Sequence, residues 1–333
     1  MRFLAAGKTK ILHQAAGNKT KRSVEIKKLA RFLAASSAFA LFIMGALQAS
    51  QTTSSASASA AKTGFIDVGD TKLYYEDLGT GIPLIMAHGG LLDCTMWDGQ
   101  FEEFARLFRA IRYDARGDGN SPSVGGKYSN IEDLKKLMVG LGISKAILLG
   151  LSKGGRTAAD FAIAYPEMVE AVVLVAPGLS GYPFDSPELK KAQEPLGEAY
   201  EKGDLDLIVE LFMRSWTDGP RRSPSDVDPA VREKVKKMGM NHMRKKRVES
   251  TLVELDPPAL GRLASIKAPT LVVVGDLDMP DILDIVERIG REVPGAHKII
   301  IPGVAHMVNL EKPAEFNRIV LDFLAPYVRK PNL

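Results

Sequence analysis

The chain has 333 residues, 45% of them hydrophobic and 25% charged, a balance that excludes a wholly disordered or fibrous protein and allows one large core. Its formal charge of +4 suggests a nucleic-acid binder, but residues 1–61 hold nine Lys/Arg against the single acid Glu25, which leaves 35 basic and 39 acidic residues elsewhere. The remainder is mildly acidic, so no nucleic-acid partner is expected.

The basic leader, with Lys27, Lys28 and Arg31 at its end, runs into the uncharged stretch FLAASSAFALFIMGAL at 32–47. That stretch is shorter than the ~20 residues that span a bilayer comfortably. Leu47-Gln48-Ala49 follows it in the manner of a cleavage site, so residues 1–49 read as an export signal to the periplasm or the exterior. Left uncleaved, the same segment becomes a membrane anchor, the only membrane contact expected. No paired arginines precede it and no cysteine lies near it, which favours general export without lipidation. Residues 50–63, rich in Ser, Ala and Thr, read as a tether. Cys94 is the only cysteine, so no disulfide forms within the chain, and it reads as a small buried residue.

Two strands are expected in GFIDVGDTKLYYEDLG, joined at Gly69-Asp70, and a short buried strand in PLIMAHGG. MWDGQFEEFARLF then places Trp97, Phe101, Phe104 and Phe108 at helical spacing. Strand and helix alternate from there: AIRYDARG, IEDLKKLMVGLG, KAILLGLS, TAADFAIAYP, EAVVLVAP. Residues 178–264 break the rhythm with charged helical stretches and no apolar strand, and read as a helical cap. The alternation resumes with PTLVVVGDLD, DILDIVERIGREVP, HKIIIPGVAH and EKPAEFNRIVLDFLAPYV. This order predicts an α/β fold with a mostly parallel central sheet, helices on both faces, and a core made of 64–177 and 265–330.

One stretch carries the chemistry. Gly150-Leu151-Ser152-Lys153-Gly154 sits where an apolar strand turns into a helix, the setting a G-x-S-x-G nucleophile turn requires. A sharp turn crowds its neighbours, so glycines flank Ser152 and its hydroxyl is pushed out at the sheet edge. A serine needs a base, and the base needs a group that holds its tautomer. His306 follows a late strand on the same rim, as do Asp276 and Asp278. Being two apart, these aspartates point opposite ways in extended chain, so at most one faces His306. His88-Gly89-Gly90 ends the third strand, where a backbone N–H can join that of Lys153 in an oxyanion hole. The Lys153 ammonium reads as solvated, with attraction of an anionic substrate as the alternative. Trp216 and Met213 read as cap core, with pocket lining as the alternative. No Cys/His cluster has ligand spacing and no phosphate loop occurs, so no metal or cofactor is expected.

HGGLLDCTMWDGQF, RYDARGDGNSP, GLSKGG, PTLVVVGDLD and GVAHMVNLEKPAEFN together resemble the α/β-hydrolase superfamily over about residues 64–328, and most of all its esterase, enol-lactonase and cofactor-free haloperoxidase branch. The resemblance implies the α/β-hydrolase fold with Ser152, His306 and Asp278 as nucleophile, base and acid. It places the oxyanion amides on Gly90 and Lys153. It further implies a small ester or lactone as substrate, with a non-catalytic ligand-binding scaffold as the alternative. Lys153 departs from the Met or Gln common after the nucleophile. Arg116-Gly117-Asp118 belongs to the turn after the fourth strand and is not read as an adhesion tripeptide.

Overall fold

The computed structural model describes residues 60–246 and 248–328. The apolar run at 32–47, the expected signal and the tether up to residue 59 lie outside the described residues. Among the described residues no helix is long and apolar enough to cross a membrane.

The first half holds β1 (Lys62–Asp67), β2 (Lys72–Leu78), β3 (Pro83–Ala87), α1 (Asp98–Ala105), β4 (Arg109–Tyr113), β5 (Gly126–Tyr128), α2 (Asn130–Gly140), β6 (Ala146–Leu151), α3 (Lys153–Ala164) and β7 (Val169–Val175). The segment before the next long strand holds α4 (Pro187–Gln193), α5 (Leu196–Lys202), α6 (Leu205–Met213), α7 (Pro229–Arg244) and β8 (Ser250–Leu252). β9 (Thr270–Gly275), α8 (Pro280–Glu292), β10 (His297–Ile301), α9 (Val308–Glu311) and α10 (Pro313–Leu324) complete the described chain. Eight strands form one sheet in the order β1-β2-β4-β3-β6-β7-β9-β10. β2 runs antiparallel to both β1 and β4, and every other pairing in that sheet is parallel.

The parallel centre is built from strands with no polar face. Along β6, Ala146 and Leu148 pack into the core on one side of the sheet, while Ile147, Leu149 and Leu151 pack on the other. β7 and β9 divide their residues in the same alternation, as a period of two between two covered faces demands. Trp97, Phe101, Phe104 and Phe108 are all buried against one face, each worth about 1.5–3 kcal/mol over exposure. The helix expected to run through Phe108 ends at Ala105, and the Phe108 N–H still donates to Phe104 O at 2.9 Å. Cys94 is buried, and burial, with Asp114 beside it, pushes its thiol well above the usual range.

Two sequence expectations change at the edges. β1 starts at Lys62, and Lys62 and Thr63 pair with Asp77 and Glu76, so the last two residues assigned to the tether are strand. β5 and β8 form a second, two-stranded parallel sheet with Gly126 opposite Ser250 and Tyr128 opposite Leu252. These three-residue strands are largely exposed, so they leave no apolar period to read.

Arg116 explains much of the turn after β4. Its guanidinium grips Asp70 at 2.7 and 2.8 Å and Asp133 at 2.8 and 2.9 Å, joining the β1–β2 turn and α2 to one loop. The Arg116 and Asp118 side chains are only 5% and 1% exposed, which a surface adhesion motif could not be. Gly119 is forced by geometry: at φ +44° an added Cβ would lie 2.1 Å from Asp114 Oδ2.

Asp160 on α3 accepts from the Ser180 hydroxyl at 2.6 Å, and Ser180 Oγ accepts from the Ala259 N–H at 2.8 Å. Burial pushes Asp160 up to about 6 against the pull of Ser180 and Arg156. The folded chain therefore binds this proton more tightly than the unfolded one, and stability falls as pH rises from about 4 to 6. Asp160→Asn keeps an acceptor for Ser180 and removes that loss. Its urea stability relative to the native chain is expected to rise by up to about 3 kcal/mol between pH 4 and 7.

Candidate active site

Ser152 sits between the end of β6 and the start of α3 with φ 55° and ψ −113°. A non-glycine residue in this region is strained by about 1–3 kcal/mol and stays there only when its surroundings hold it. Here the Ser152 N–H donates to Val175 O at 3.0 Å, and its carbonyl accepts from Arg156 N at 2.8 Å and Gly178 N at 3.0 Å. The neighbouring glycines are required by contact. A Cβ on Gly150 would lie 2.3 Å from Gly154 O, and one on Gly154 would lie 2.2 Å from Ala87 O. Gly155 is as tight, with Pro177 Cβ at 2.8 Å. Helix and strands therefore meet backbone to backbone, and Ser152 is left half-buried at the turn.

The loops that follow β9 and β10 bring the other expected side chains together. His306 Nδ1 lies 2.8 Å from Asp278 Oδ2, and the two side chains are 2% and 1% exposed. A nitrogen facing a carboxylate carries the hydrogen, so the neutral ring keeps its lone pair on Nε2. Asp278 Oδ1 accepts from the Met279 N–H at 2.7 Å, which fixes the carboxylate. Asp276 points elsewhere and accepts from the Gly303 N–H at 2.6 Å, tying the two loops to each other. Ser152 lies at the carboxyl end of β6 on the same rim, though its hydroxyl makes no hydrogen bond to the described residues, His306 included.

His88 sets the loop after β3. The Ala115 N–H donates to its Nε2 at 3.0 Å, so the hydrogen is on Nδ1, which donates to Gly89 O at 2.7 Å. Burial lowers the His88 pKa, as does Lys153, in keeping with a neutral ring. Holding the Gly89 carbonyl directs the Gly90 N–H the opposite way, because the peptide is planar and trans. Gly89 packs beside Ser152: a Cβ there would be 3.6 Å from Ser152 Cβ. Gly90 has open space around its Cα, so close protein contact does not explain that glycine. Neither the Gly90 nor the Lys153 N–H finds an acceptor among the described residues.

Lys153 is not freely solvated as the sequence suggests. Its ammonium donates to Asp118 Oδ2 at 2.5 Å, and His242 Nδ1 on α7 reaches Asp118 Oδ1 at 2.9 Å. Burial would raise the Asp118 carboxyl, but Lys153, His242 and His88 hold it far below the usual carboxylate range. No sequence pattern links Asp118, Lys153 and His242. Trp216 was also underestimated: its ring packs on His306, centroids 4.8 Å apart and planes tilted by 48°. Met213 is buried core, as read.

The segment around Trp216 is locked onto the loops that carry Asp278 and His306. Gly219, at φ +76°, leaves room for Leu277 O and Ala305 Cβ, which an added Cβ would meet at 2.5 and 2.8 Å. Arg221 donates to the Asp276 carbonyl. Arg222 pairs with Glu311 at 2.6 and 3.0 Å and donates to Asp218 O, Thr217 O and Gly303 O. Glu311 in turn accepts from the Ala305 N–H at 3.1 Å, next to His306. Among the described residues no group of three or more His, Cys, Asp or Glu is placed to hold a metal ion.

Comparison with known proteins agrees with this architecture. The model of the alpha/beta hydrolase family matches residues 84–319. The 2-hydroxy-6-oxo-6-phenylhexa-2,4-dienoate hydrolase of Comamonas testosteroni is 27% identical over 275 residues, spanning 79% of this chain and 95% of that protein. A 2-hydroxy-6-oxononadienedioate/2-hydroxy-6-oxononatrienedioate hydrolase of Escherichia coli K12 is 28% identical over 290 residues, spanning 80% and 96%. Among solved structures, a thermophilic esterase from Thermogutta terrifontis superposes with TM-score 0.64 at 27% identity, over 81% of this chain and all of that one. The enol-lactonase of Burkholderia xenovorans LB400 superposes with TM-score 0.62 at 21% identity, over 79% of this chain and all of that one, and shares the fold. The chain belongs to the alpha/beta hydrolase family and is a hydrolase.

Arg222 and Glu311 are 9% and 7% exposed, so removing one leaves the other buried without its charge partner. Arg222→Met is expected to lower unfolding stability by about 3–5 kcal/mol, read from urea denaturation. Replacing the exposed Arg318, paired to Asp322 at 3.5 Å, is expected to cost less than about 1 kcal/mol.

Proposed function

We propose that this alpha/beta hydrolase cleaves small carboxylic esters or lactones through an acyl-enzyme on Ser152. The observation that carries the reading is the buried 2.8 Å pair of His306 Nδ1 with Asp278 on the rim that bears a strained Ser152. A carboxylate at Nδ1 makes Nε2 the basic nitrogen, and a base at Nε2 is what a serine hydroxyl lacks.

In this mechanism Ser152 Oγ attacks the substrate carbonyl carbon while His306 Nε2 takes the hydroxyl proton. Negative charge grows on the carbonyl oxygen, and the Gly90 and Lys153 N–H groups receive it as fixed donors, worth about 10² to 10³ in rate each. Collapse expels the alcohol oxygen, which leaves with the proton from His306. Water then attacks the acyl-enzyme with His306 as base, and the acid is released from Ser152. Asp278 steadies the imidazolium through its bond to Nδ1. The segment 178–264 acts as the cap, with Trp216 closing one side of the imidazole. No step calls for a metal or a cofactor.

A second reading rests on the two relatives, which are named as hydrolases of a 2-hydroxy-6-oxo dienoate and of 2-hydroxy-6-oxo dienedioates and trienedioates. The same nucleophile, base and donors can cleave a carbon–carbon bond next to a ketone, with a carbanion leaving in place of an alkoxide. A panel of short esters, lactones and a 2-hydroxy-6-oxo dienoate, assayed side by side, separates the two.

Ser152 is expected to take a fluorophosphonate label that Ser152→Ala does not; an unlabelled native chain would overturn the enzyme reading in favour of a ligand-binding scaffold. Asp278→Asn is expected to lower kcat on the best ester by about 10⁴-fold. Asp276→Asn, which keeps an acceptor for the Gly303 N–H, is expected to hold kcat within about tenfold. A larger loss in Asp276→Asn than in Asp278→Asn would reverse the assignment of the acid.

A further inference from the structure

A cavity of about 250 Å³ lies beside the two residues whose N–H groups are assigned to the oxyanion. Its wall includes Gly90 and Lys153 themselves, with Asp118, His242, Tyr128 and Ser250 around them. A substrate group that extends from the reacting carbonyl past both Gly90 and Lys153 would reach this space.

The cavity has a polar head. Asp118 is 1% exposed, whereas the Lys153 side chain that it binds is 30% exposed. The carboxylate is thus the buried partner and the lysine side chain, which lines the cavity, the more exposed one. An ammonium carries three N–H bonds, and Asp118 Oδ2 accepts one at 2.5 Å. Among the described residues the other Lys or Arg in the wall, Arg116, is occupied by Asp70 and Asp133 and is 5% exposed. A lysine held in this way presents positive charge to the cavity at a fixed place, with less side-chain freedom to lose on binding than a free lysine has.

We propose that Lys153 is a specificity-determining residue, recognising a carboxylate on the acyl arm of the substrate. The covalent length of a lysine keeps Nζ within about 7 Å of its own backbone N–H. An acyl group held by that N–H through its carbonyl oxygen can therefore meet the ammonium only if its carboxylate lies a few carbons away. The substrate class is half-esters of short dicarboxylic acids, of succinate or glutarate length, and lactones bearing a carboxylate at similar distance. The inference rests on the hydrolytic reading above and deepens it: the backbone of Lys153 serves the oxyanion and its side chain selects the acid.

Monoethyl glutarate and ethyl pentanoate are suitable probes, since one ends in a carboxylate where the other ends in a methyl group. Binding of each is measured by calorimetry to Ser152→Ala, where no turnover occurs, and kcat/KM is measured with the native enzyme. The half-ester is expected to bind at least about tenfold more tightly, as a hydrogen bond to a charged group warrants. Adding Lys153→Gln, whose amide still donates to Asp118 and so protects the fold, is expected to remove that preference, and Lys153→Arg to retain most of it. Equal binding of the two probes by Ser152→Ala, or a preference that survives Lys153→Gln, overturns the proposal. Preferential binding that depends on Lys153, with no turnover of either probe and no fluorophosphonate label, supports the subsite and rejects the hydrolytic reading instead.

Discussion

The site depends on a backbone contact that no side chain could survive. Gly150 and Gly154 bring the end of β6 and the start of α3 so close that a methyl group on either would overlap a carbonyl oxygen, at 2.3 and 2.2 Å. The partner of Gly154 is Ala87 O, the last residue of β3. One contact therefore fixes the nucleophile turn against the strand whose loop carries Gly89 and Gly90. Ser152 is held at φ 55° by hydrogen bonds to β7 and to the chain after it, and the strain of about 1–3 kcal/mol is small beside the cores packed on both faces of the sheet. A stiff, fully buried strand pair is what allows a strained residue to persist.

Around this turn, buried ion pairs act as positioning devices. Arg116 joins three segments near β4, Arg222 and Glu311 join the segment after α6 to the His306 loop, and Asp118 joins Lys153 to α7. Desolvating two charges offsets most of their attraction, so such pairs contribute little net stability while breaking one is expensive. Their value lies in geometry. An apolar contact tolerates sliding, whereas a two-pronged guanidinium to carboxylate pair does not. Each of these three links reaches a loop that carries, or adjoins, a residue assigned to the reaction.

What the sequence made legible follows from the range of the signal. Fully buried strands such as β6, β7 and β9 are continuous apolar runs, and the glycines around Ser152 encode a local steric requirement. The order serine, aspartate, histidine at strand ends was readable for the same reason. The choice between Asp276 and Asp278 was not, because it depends on how the loop after Gly275 turns; alternation says only that at most one faces His306, and the resemblance names which. Asp276 in fact spans to Gly303, a role no periodicity reports. β5 and β8 were missed since three exposed residues carry no pattern. The pairing of Lys153 is invisible to the sequence because Asp118 is 35 residues away and His242 lies farther still along the chain.

The packing of Trp216 completes the logic of the imidazole. His306 is held at Nδ1 by Asp278, on one side by the indole of Trp216, and along its backbone by the Ala305 N–H bond to Glu311. Rotation about the ring's own axis would break the 2.8 Å bond to Asp278. Displacement toward the Trp216 side is blocked by the indole. A Ser152 hydroxyl without a hydrogen-bond partner among the described residues is compatible with the roles proposed for Ser152 and His306, since hydrogen bonds between catalytic groups often tighten only when substrate is in place. The segment after β7 thus helps to fix the imidazole: Trp216 packs on the His306 ring, and Arg222 holds Glu311, which accepts from the Ala305 N–H.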